Sequence, residues 1–194
     1  MNATRGEPAA TTPLADAIAV RLAGGLLPGD APFSADALTR AARFAAATAI
    51  RRAPGEPVIA IESVTGAAGE RFMRIALVND DMPFLVDSIA GTIGAHGLVI
   101  DRLVHPVLAV RRDGDGCLTA LPDGDAAGEK RESLIYLETE RGDARLRREL
   151  ERALAATLAD VRAAVADWPR LQAAMAADAD TLPDSEGAAL LRWF

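Results

Sequence analysis

Three consecutive polar residues, Asn79, Asp80 and Asp81, are the strongest candidates for binding chemistry in this sequence of 194 residues. They lie between an apolar, β-branched run and a segment whose apolar residues have helical spacing. The sequence therefore places them where a strand ends and a helix begins. Amide groups at a helix start, together with short polar side chains, can bind an anion there. The alternative is a structural turn, in which the same carboxylates cap the helix and satisfy its unpaired amides.

The residues that follow complete this candidate ligand-binding turn. Asp81 is the expected N-cap of the helix, and Pro83 falls in the first turn, where a missing amide hydrogen costs nothing. Asp87 lies on the same helix and is either a structural helix residue or a polar residue at a subunit contact. The candidate ligand-binding residues are therefore Asn79, Asp80, Asp81, Met82, Pro83, Phe84 and Asp87.

His105 is one of two histidines and lies on an extended apolar run. It shares a face with apolar neighbours, so it is expected to point inward. Its two possible roles are a hydrogen-bonded core residue and a ligand or pH switch. The other histidine, His96, lies at a helix end, and Cys117 is the single cysteine. These residues do not form a zinc pattern, and we expect no metal site.

Motifs for catalysis are missing from the sequence. No G-x-G-x-x-G follows a predicted strand, and there is no nucleophile elbow or serine–histidine–acid arrangement. The turn at residues 113–116 (DGDG) resembles a calcium loop, but the sixth position of that loop would be Leu118 instead of glycine. We therefore expect no catalytic residues and no cofactor in this chain.

Composition and charge exclude several classes of function. The net charge of −7 argues against a nucleic-acid binder, whose electrostatic surface is basic. No apolar run reaches the roughly 18 residues of a membrane span, and the N-terminus lacks the apolar stretch of a signal peptide. A single cysteine cannot form an internal disulfide. We expect a cytoplasmic protein that binds neither nucleic acid nor membrane.

Hydrophobic periodicity predicts the element order α-α-β-β-α-β-β-α-α. Ser34 and Asp143 are the expected N-caps of the second helix and of the longest helix. Trp168-Pro169 is expected to end the longest helix. These elements divide the chain into a disordered tail (1–13), an N-terminal helical segment (14–53), and a main domain with a C-terminal helical extension (55–194).

The central β-α-β-β-α order is five-sixths of a ferredoxin-like unit, whose sixth element is a strand. We therefore predict an α+β fold with an antiparallel sheet, helices on one face of it, and an added N-terminal helical pair. In a ferredoxin-like sheet the last strand lies antiparallel beside the first. A hairpin between residues 58–61 and 72–78 would bring the N-terminal strand of this chain to that position. We predict that it fills the place of the missing strand.

Three strings in the sequence carry a more specific resemblance: NDDMPFLVDS at residues 79–88, HPV at 105–107 and ES at 132–133. Together they resemble the N-terminal region of the large bacterial NAD-specific glutamate dehydrogenases. In that family this region contains the first of several ACT-like regulatory domains, upstream of the catalytic part. The resemblance implies a parent enzyme that oxidatively deaminates L-glutamate to 2-oxoglutarate with NAD. It also implies that this chain contributes no catalysis itself.

A broader resemblance to ACT domains agrees with this. ACT domains carry a D-x-P-G-[LV]-L-like turn after a strand, and residues 81–86 are similar to it. The chain departs from the pattern at Phe84, where ACT domains that bind amino acids usually have glycine. That glycine lets the backbone approach a ligand closely. Both an amino-acid effector and a closed pocket are therefore compatible with the resemblance.

Three functions remain open. The first is a regulatory and assembly module of a large NAD-dependent glutamate dehydrogenase. It would contact other domains of the same polypeptide, form a homo-oligomer, and either bind an amino-acid effector or not. The second is a free-standing ACT-like amino-acid sensor, and the third is a purely structural interaction domain. We favour the first. Phe84, and the bulky residues at 190–194 that are typical of a chain cut from a longer one, count against the second.

Overall fold

The computed structural model describes residues 11–26, 29–66, 69–122, 129–183 and 185–193. Most of the predicted disordered tail, residues 1–13, lies outside these ranges. Within them no helix is long and apolar enough to cross a membrane. The helices of the described ranges are α1 (Thr11–Gly24), α2 (Ala35–Ala49), α3 (Leu85–Ala95), α4 (Ala144–Thr181) and α5 (Glu186–Trp193). The strands are β1 (Val58–Thr65), β2 (Arg71–Asp80), β3 (Ile100–Val104), β4 (Val107–Arg112), β5 (Leu118–Ala120) and β6 (Lys130–Glu140).

The sheet has the predicted α+β, ferredoxin-like arrangement. Its order is β1-β2-β6-β4-β5, with β3 pairing with β6 on the same side as β4. Every pairing is antiparallel. Strand β1 pairs with β2 from Val58↔Val78 to Thr65↔Arg71. Since β2 is the first strand of the ferredoxin-like unit, β1 occupies the place of the missing last strand, as predicted.

A proline divides the long extended run into β3 and β4. Pro106 has no amide hydrogen for the ladder, but its carbonyl accepts a hydrogen bond from the Leu134 amide at 3.0 Å. The predicted tight turn after β4 is present, with the Gly116 amide donating to the Asp113 carbonyl at 3.0 Å. Strand β5, which follows it, is not predicted by the sequence, because three residues are too few to show an alternating pattern.

Helices cover both faces of the sheet. Helices α3 and α4 pack on one face, against Ile75, Leu77 and Leu137, and build a core with that layer. Helices α1 and α2 cover the opposite face, against Val78 and Tyr136. The contact stripe of α2 is rich in alanine, so this helix lies close to the sheet. Helices α3 and α4, the helices of the ACT-like unit, thus share one face, as predicted. The N-terminal helical pair, α1 and α2, covers the other.

Two predicted helix boundaries are wrong, and both lie near the candidate site. Helix α3 begins at Leu85, so neither Asp81 nor Pro83 is part of its first turn. The Asp81 carboxylate instead accepts a hydrogen bond from the Ser133 hydroxyl at 2.8 Å, a tertiary contact that local capping rules do not include. Helix α4 continues through Pro169 to Thr181. A proline removes one helical hydrogen bond, but the alanine-rich flanks have enough helix propensity to continue.

The other two predicted helix starts are confirmed. The Ser34 hydroxyl accepts from the Ala37 amide at 3.2 Å, and the Asp143 carboxylate accepts from the Leu146 amide at 2.7 Å. In both helices the cap residue has extended backbone and lies three residues before the amide that it satisfies. Both of these cap residues are exposed, and each bonds to the start of its own helix.

Candidate functional site

The candidate turn lies at the carboxyl end of β2, where the sheet register brings acidic groups together. Asn79 and Asp80 are the last residues of β2 and pair with Ser133 and Glu132 of β6. Asp80 and Glu132 are therefore direct cross-strand neighbours with the same charge, an arrangement that is destabilising unless cations bridge it. Glu132 is fully buried and Asp80 is half-buried. The fold must supply positive groups at this end of the sheet.

Arg52 is the group that bridges the two carboxylates. It follows α2 and its side chain is 1% exposed. Its Nη2 donates to Oδ1 of Asp80 at 2.5 Å and to Oε1 of Glu132 at 2.8 Å, while Nη1 donates to the Glu56 carbonyl at 2.9 Å. Burial disfavours the charged guanidinium, but these hydrogen bonds outweigh it and raise the pKa of Arg52 above its ordinary value. A buried arginine thus remains charged at this position.

Arg112 of β4 holds the other side of Glu132. Its Nε donates to Oε1 at 2.8 Å and its Nη2 donates to Oε2 at 2.7 Å, which is the forked geometry that suits a guanidinium and a carboxylate. Burial raises the pKa of the Glu132 carboxyl, but the hydrogen bonds from Arg112 and Arg52 have the larger effect together. The pKa of Glu132 therefore lies below its ordinary value. Glu132 is therefore an ionised carboxylate with two arginine partners.

Arg162 connects the same end of the sheet to α4. Its Nη1 donates to Oδ2 of Asp80 at 2.8 Å, and its Nη2 donates to Oδ1 of Asn79 at 2.6 Å. Burial raises the pKa of Asp80, but hydrogen bonds from Arg52 and Arg162 outweigh it, and the pKa lies below its ordinary value. Nδ2 of Asn79 is buried and has no hydrogen-bond partner among the described residues.

We call this group of side chains the ion cluster; its members are Arg52, Asn79, Asp80, Arg112, Glu132 and Arg162. The sequence identifies Asn79 and Asp80 but not the other four. Glu132 is part of the string that resembles the glutamate dehydrogenase region, and a buried glutamate in an apolar strand is a signal that a cation must lie nearby. Sequence alone could not identify which of the many arginines supplies it.

A second chain of hydrogen bonds joins Asp81 to His105. Nε2 of His105 lies 2.9 Å from Oγ of Ser133, which donates to Oδ1 of Asp81 at 2.8 Å. Because the serine hydrogen is used on Asp81, His105 must donate, so its neutral form carries the proton on Nε2. Burial lowers the pKa of His105, and the Asp81 charge opposes this only in part. Ser133 is fully buried, so this arrangement fits a hydrogen-bonded core histidine and not an exposed nucleophile.

Of the remaining candidate residues, Pro83 and Phe84 lie at an apolar edge beside the ion cluster, and Met82 packs against the core of α3 and α4. Phe84 precedes α3 with a left-handed backbone, φ 68°, and its side chain is 66% exposed. Asp87 is exposed in the first turn of α3 and takes no part in the ion cluster. An open groove of about 320 Å³ lies here, lined by Pro83, Phe84, Ala164, Val165 and Trp168.

The charged groups at this end of the sheet are paired with one another. The carboxylates of Asp80, Asp81 and Glu132 are each held by arginine or serine donors. Among the described residues no group of three histidine, cysteine, aspartate or glutamate side chains could hold a metal ion. Arg52, which follows α2, and Arg162 of α4 both form ion pairs with Asp80. The arrangement fixes both helical layers to the sheet through one carboxylate.

Comparison with known proteins gives two kinds of match. The family model described as "Glutamate dehydrogenase, ACT1 domain" matches residues 29–154, which include the whole ion cluster except Arg162. A relative from Halomonas elongata, named NAD-specific glutamate dehydrogenase, is 40% identical over 103 residues. A protein of the same name from Pseudomonas aeruginosa is 38% identical over 102 residues. Each match covers 51% of this chain and 6% of the relative's length.

Proposed function

The chain belongs to the glutamate dehydrogenase ACT1 domain family, and from this we propose that it is the N-terminal regulatory and assembly module of a large NAD-specific glutamate dehydrogenase. The parent enzyme would deaminate L-glutamate oxidatively to 2-oxoglutarate with NAD, in the cytoplasm. Catalysis and NAD binding would belong to other parts of that polypeptide. Its partners would be those other domains and further copies of the enzyme.

The family match over residues 29–154 carries this proposal. The geometry of the site supports assembly as the main role. An amino-acid effector needs one partner for its ammonium group and another for its carboxylate. The carboxylates at the end of β2 already have donors, and the described side chains that line the neighbouring groove are apolar. The side chain of Phe84 also lies where ACT domains that bind amino acids usually have glycine.

An amino-acid-sensing module is the second candidate. The buried Nδ2 of Asn79 favours it, because this donor has no acceptor among the described residues and a ligand carboxylate could supply one. In a sensor of this kind, an amino acid would bind against Asn79 and displace part of the Arg162 contact. Isothermal titration of the parent polypeptide with L-amino acids, beside an Asn79→Ser variant, separates the two roles. Binding that the variant loses would favour the sensor.

The experiment that tests the assignment begins with the native polypeptide. An antibody against residues 29–154 isolates it from the cells that express it, and the preparation is assayed for NAD-dependent oxidation of L-glutamate. We expect a polypeptide many times larger than the 20.3 kDa of this chain, with that activity. A native product of about this chain's size, or a large product that does not oxidise glutamate, would contradict the proposal.

A further inference from the structure

The apolar groove beside α3 presents two aromatic side chains to solvent. It is lined by Pro83, Phe84, Ala164, Val165 and Trp168, with Phe84 66% and Trp168 43% exposed. Aromatic residues are scarce in this chain, with five phenylalanines, two tryptophans and one tyrosine. Exposed aromatic residues around a groove are typical of interaction surfaces, where they provide large buried area.

The backbone at Phe84 gives an independent reason to expect a partner. Phe84 has the one positive φ among the non-glycine residues that the structure describes, at 68°. A left-handed conformation is unfavourable for an L-residue, because Cβ lies too close to the following carbonyl oxygen. Within the domain this conformation directs an apolar ring mainly into water. Strained residues of this kind cluster at binding sites, where a partner offsets the cost.

The floor of the groove is rigid, so it is a preformed surface. Helices α3 and α4 pack side by side, and the hydroxyls of Thr92 and Thr157 hydrogen-bond across them at 2.7 Å. Arg162, on the same helix as Val165 and Trp168, is held by Asp80 and Asn79 of the ion cluster. The ion cluster thus fixes the part of α4 that forms one wall of the groove.

The charges around the groove specify the chemistry of the partner. Asp87 lies one helical turn after Phe84, and Asp160 and Asp167 lie one turn to either side of Ala164; all three are exposed. Two cations on α4 are paired here, Arg162 with Asp80 and Arg170 with Asp167 at 3.2 Å, so Asp87 and Asp160 give the rim its net negative charge. An apolar groove with an acidic rim is complementary to an apolar segment flanked by lysine or arginine. A second copy of the groove would bring the same acidic rim and be repelled.

We propose that this groove receives an apolar segment, flanked by basic residues, from the part of the same glutamate dehydrogenase polypeptide that lies outside residues 1–194. This inference rests on the proposed function. The matched relatives show how much chain is available for it, since the matched segment is only 6% of their length. Docking there would bury the rings of Phe84 and Trp168 and connect the ACT1 domain to the rest of the enzyme.

Photo-crosslinking in the full-length polypeptide tests the proposal. The photoreactive amino acid p-benzoylphenylalanine replaces Phe84 in one preparation. In the control it replaces Val99, which is 64% exposed and lies outside the groove. After irradiation, mass spectrometry identifies the attached peptide. We expect position 84 to capture one apolar peptide with flanking lysine or arginine, from outside residues 1–194 of the same polypeptide, in a yield well above that of position 99.

Other captured peptides would overturn the inference. A peptide from residues 1–194 other than the groove wall at 164–168 would show that this domain itself occupies the groove. A peptide from another protein would show a separate partner, and a yield equal to that at position 99 would show an open surface. A charge test accompanies these: Asp87→Arg should lower the yield about tenfold, because like charges across an interface weaken binding, whereas Asp101→Arg, at an exposed acid outside the groove, should not.

A parallel measurement distinguishes the two proposals. NAD-dependent oxidation of L-glutamate is measured on the unsubstituted full-length polypeptide. A polypeptide without this activity contradicts the proposed function. An active polypeptide whose Phe84-substituted form captures no peptide from outside residues 1–194 contradicts only the docking surface.

Discussion

At the scale of single residues, Phe84 shows how a backbone angle determines the effect of substitution. Its φ of 68° favours glycine, which has no Cβ to clash in the left-handed region. We expect Phe84→Gly to be more stable than Phe84→Ala by about 1 kcal/mol, because both variants lose the ring and only alanine retains the strain. Urea unfolding of the two variants measures the difference. Equal stabilities would show that the left-handed backbone does not persist in solution.

His105 provides a pH prediction at the same scale. Its pKa in the folded chain is lowered, mainly by burial, so the unfolded chain binds a proton first as the pH falls. The contribution of neutral His105 to stability is therefore complete above the ordinary histidine pKa and is lost as the pH falls through the folded pKa. We expect the melting temperature of the native sequence to fall as the pH drops through and below about 6.5, the ordinary histidine pKa.

A pair of variants assigns this fall to His105. In His105→Gln the part of the pH dependence that comes from His105 should be missing. His96→Gln, which changes the only other histidine, should retain it. His105 could be recognised from sequence as an inward-facing histidine, but Ser133 could not be recognised as its partner, since the two are 28 residues apart and meet only when β6 pairs beside β3 and β4. If His105→Gln keeps the full fall, the partly buried His105–Ser133 contact is not its origin.

At the scale of elements, the ion cluster joins three layers, and its loss should be costly. Arg52→Met leaves the buried Glu132 and the half-buried Asp80 with one cation fewer. Removing one partner of a buried ion pair typically costs about 3–5 kcal/mol, and we expect a loss of that order. Arg40→Met is the matched control, since Arg40 forms an exposed pair with Asp36 that should contribute less than about 1 kcal/mol.

Denaturant unfolding measures both variants of this pair. A loss in Arg52→Met that is no greater than in the control would show that Arg112 and Arg162 suffice to balance the acidic pair. Denaturant unfolding at high salt provides a second measurement, because screening weakens the exposed Arg40–Asp36 pair more than the buried ion pairs of Arg52.

Helix α4 gives another element-scale prediction. Pro169 lies inside this helix and removes one amide donor from it. We expect Pro169→Ala to raise the free energy of unfolding by about 1–2 kcal/mol, since the gain in helix propensity exceeds the loss of proline's restriction on the unfolded chain. Circular dichroism at 222 nm during thermal unfolding measures it. A lower stability would indicate that the proline supports a bend which α4 requires.

The sequence predicts elements better than it predicts their contacts. The β1–β2 hairpin, the break at Pro106 and the caps Ser34 and Asp143 follow from local rules, because each depends on residues a few positions apart. The start of α3 does not, because Asp81 is used by Ser133, 52 residues away. The ion cluster is still less local: Arg52 and Glu132 are 80 residues apart, and Asp80 and Arg162 are 82 apart. Such pairs become visible only after the sheet register is known.

At the scale of the whole molecule, the chain is an ACT1 domain in which β1 completes the sheet and α1 and α2 cover the face that the ACT-like helices leave free. Its predicted polar site residues lie together at one end of the sheet, where their partners are residues that the sequence did not identify: Arg52, Arg162 and Ser133. The apolar groove beside them is open to solvent. This organisation suits the assembly role that we propose for the domain.

The measurement that tests this account most directly compares assembly with catalysis in the full-length enzyme. Arg162→Met removes the link from α4 to Asp80, and Arg145→Met, which breaks an exposed pair with Glu149 on the same helix and outside the groove, is the control. Light scattering on dilution gives the subunit assembly, and NAD-dependent glutamate oxidation gives kcat and KM. We predict that Arg162→Met dissociates at higher concentration than the control, with KM unchanged and kcat unchanged per assembled enzyme. A fall in kcat with assembly intact would contradict the account, because the ion cluster would then act in the reaction itself.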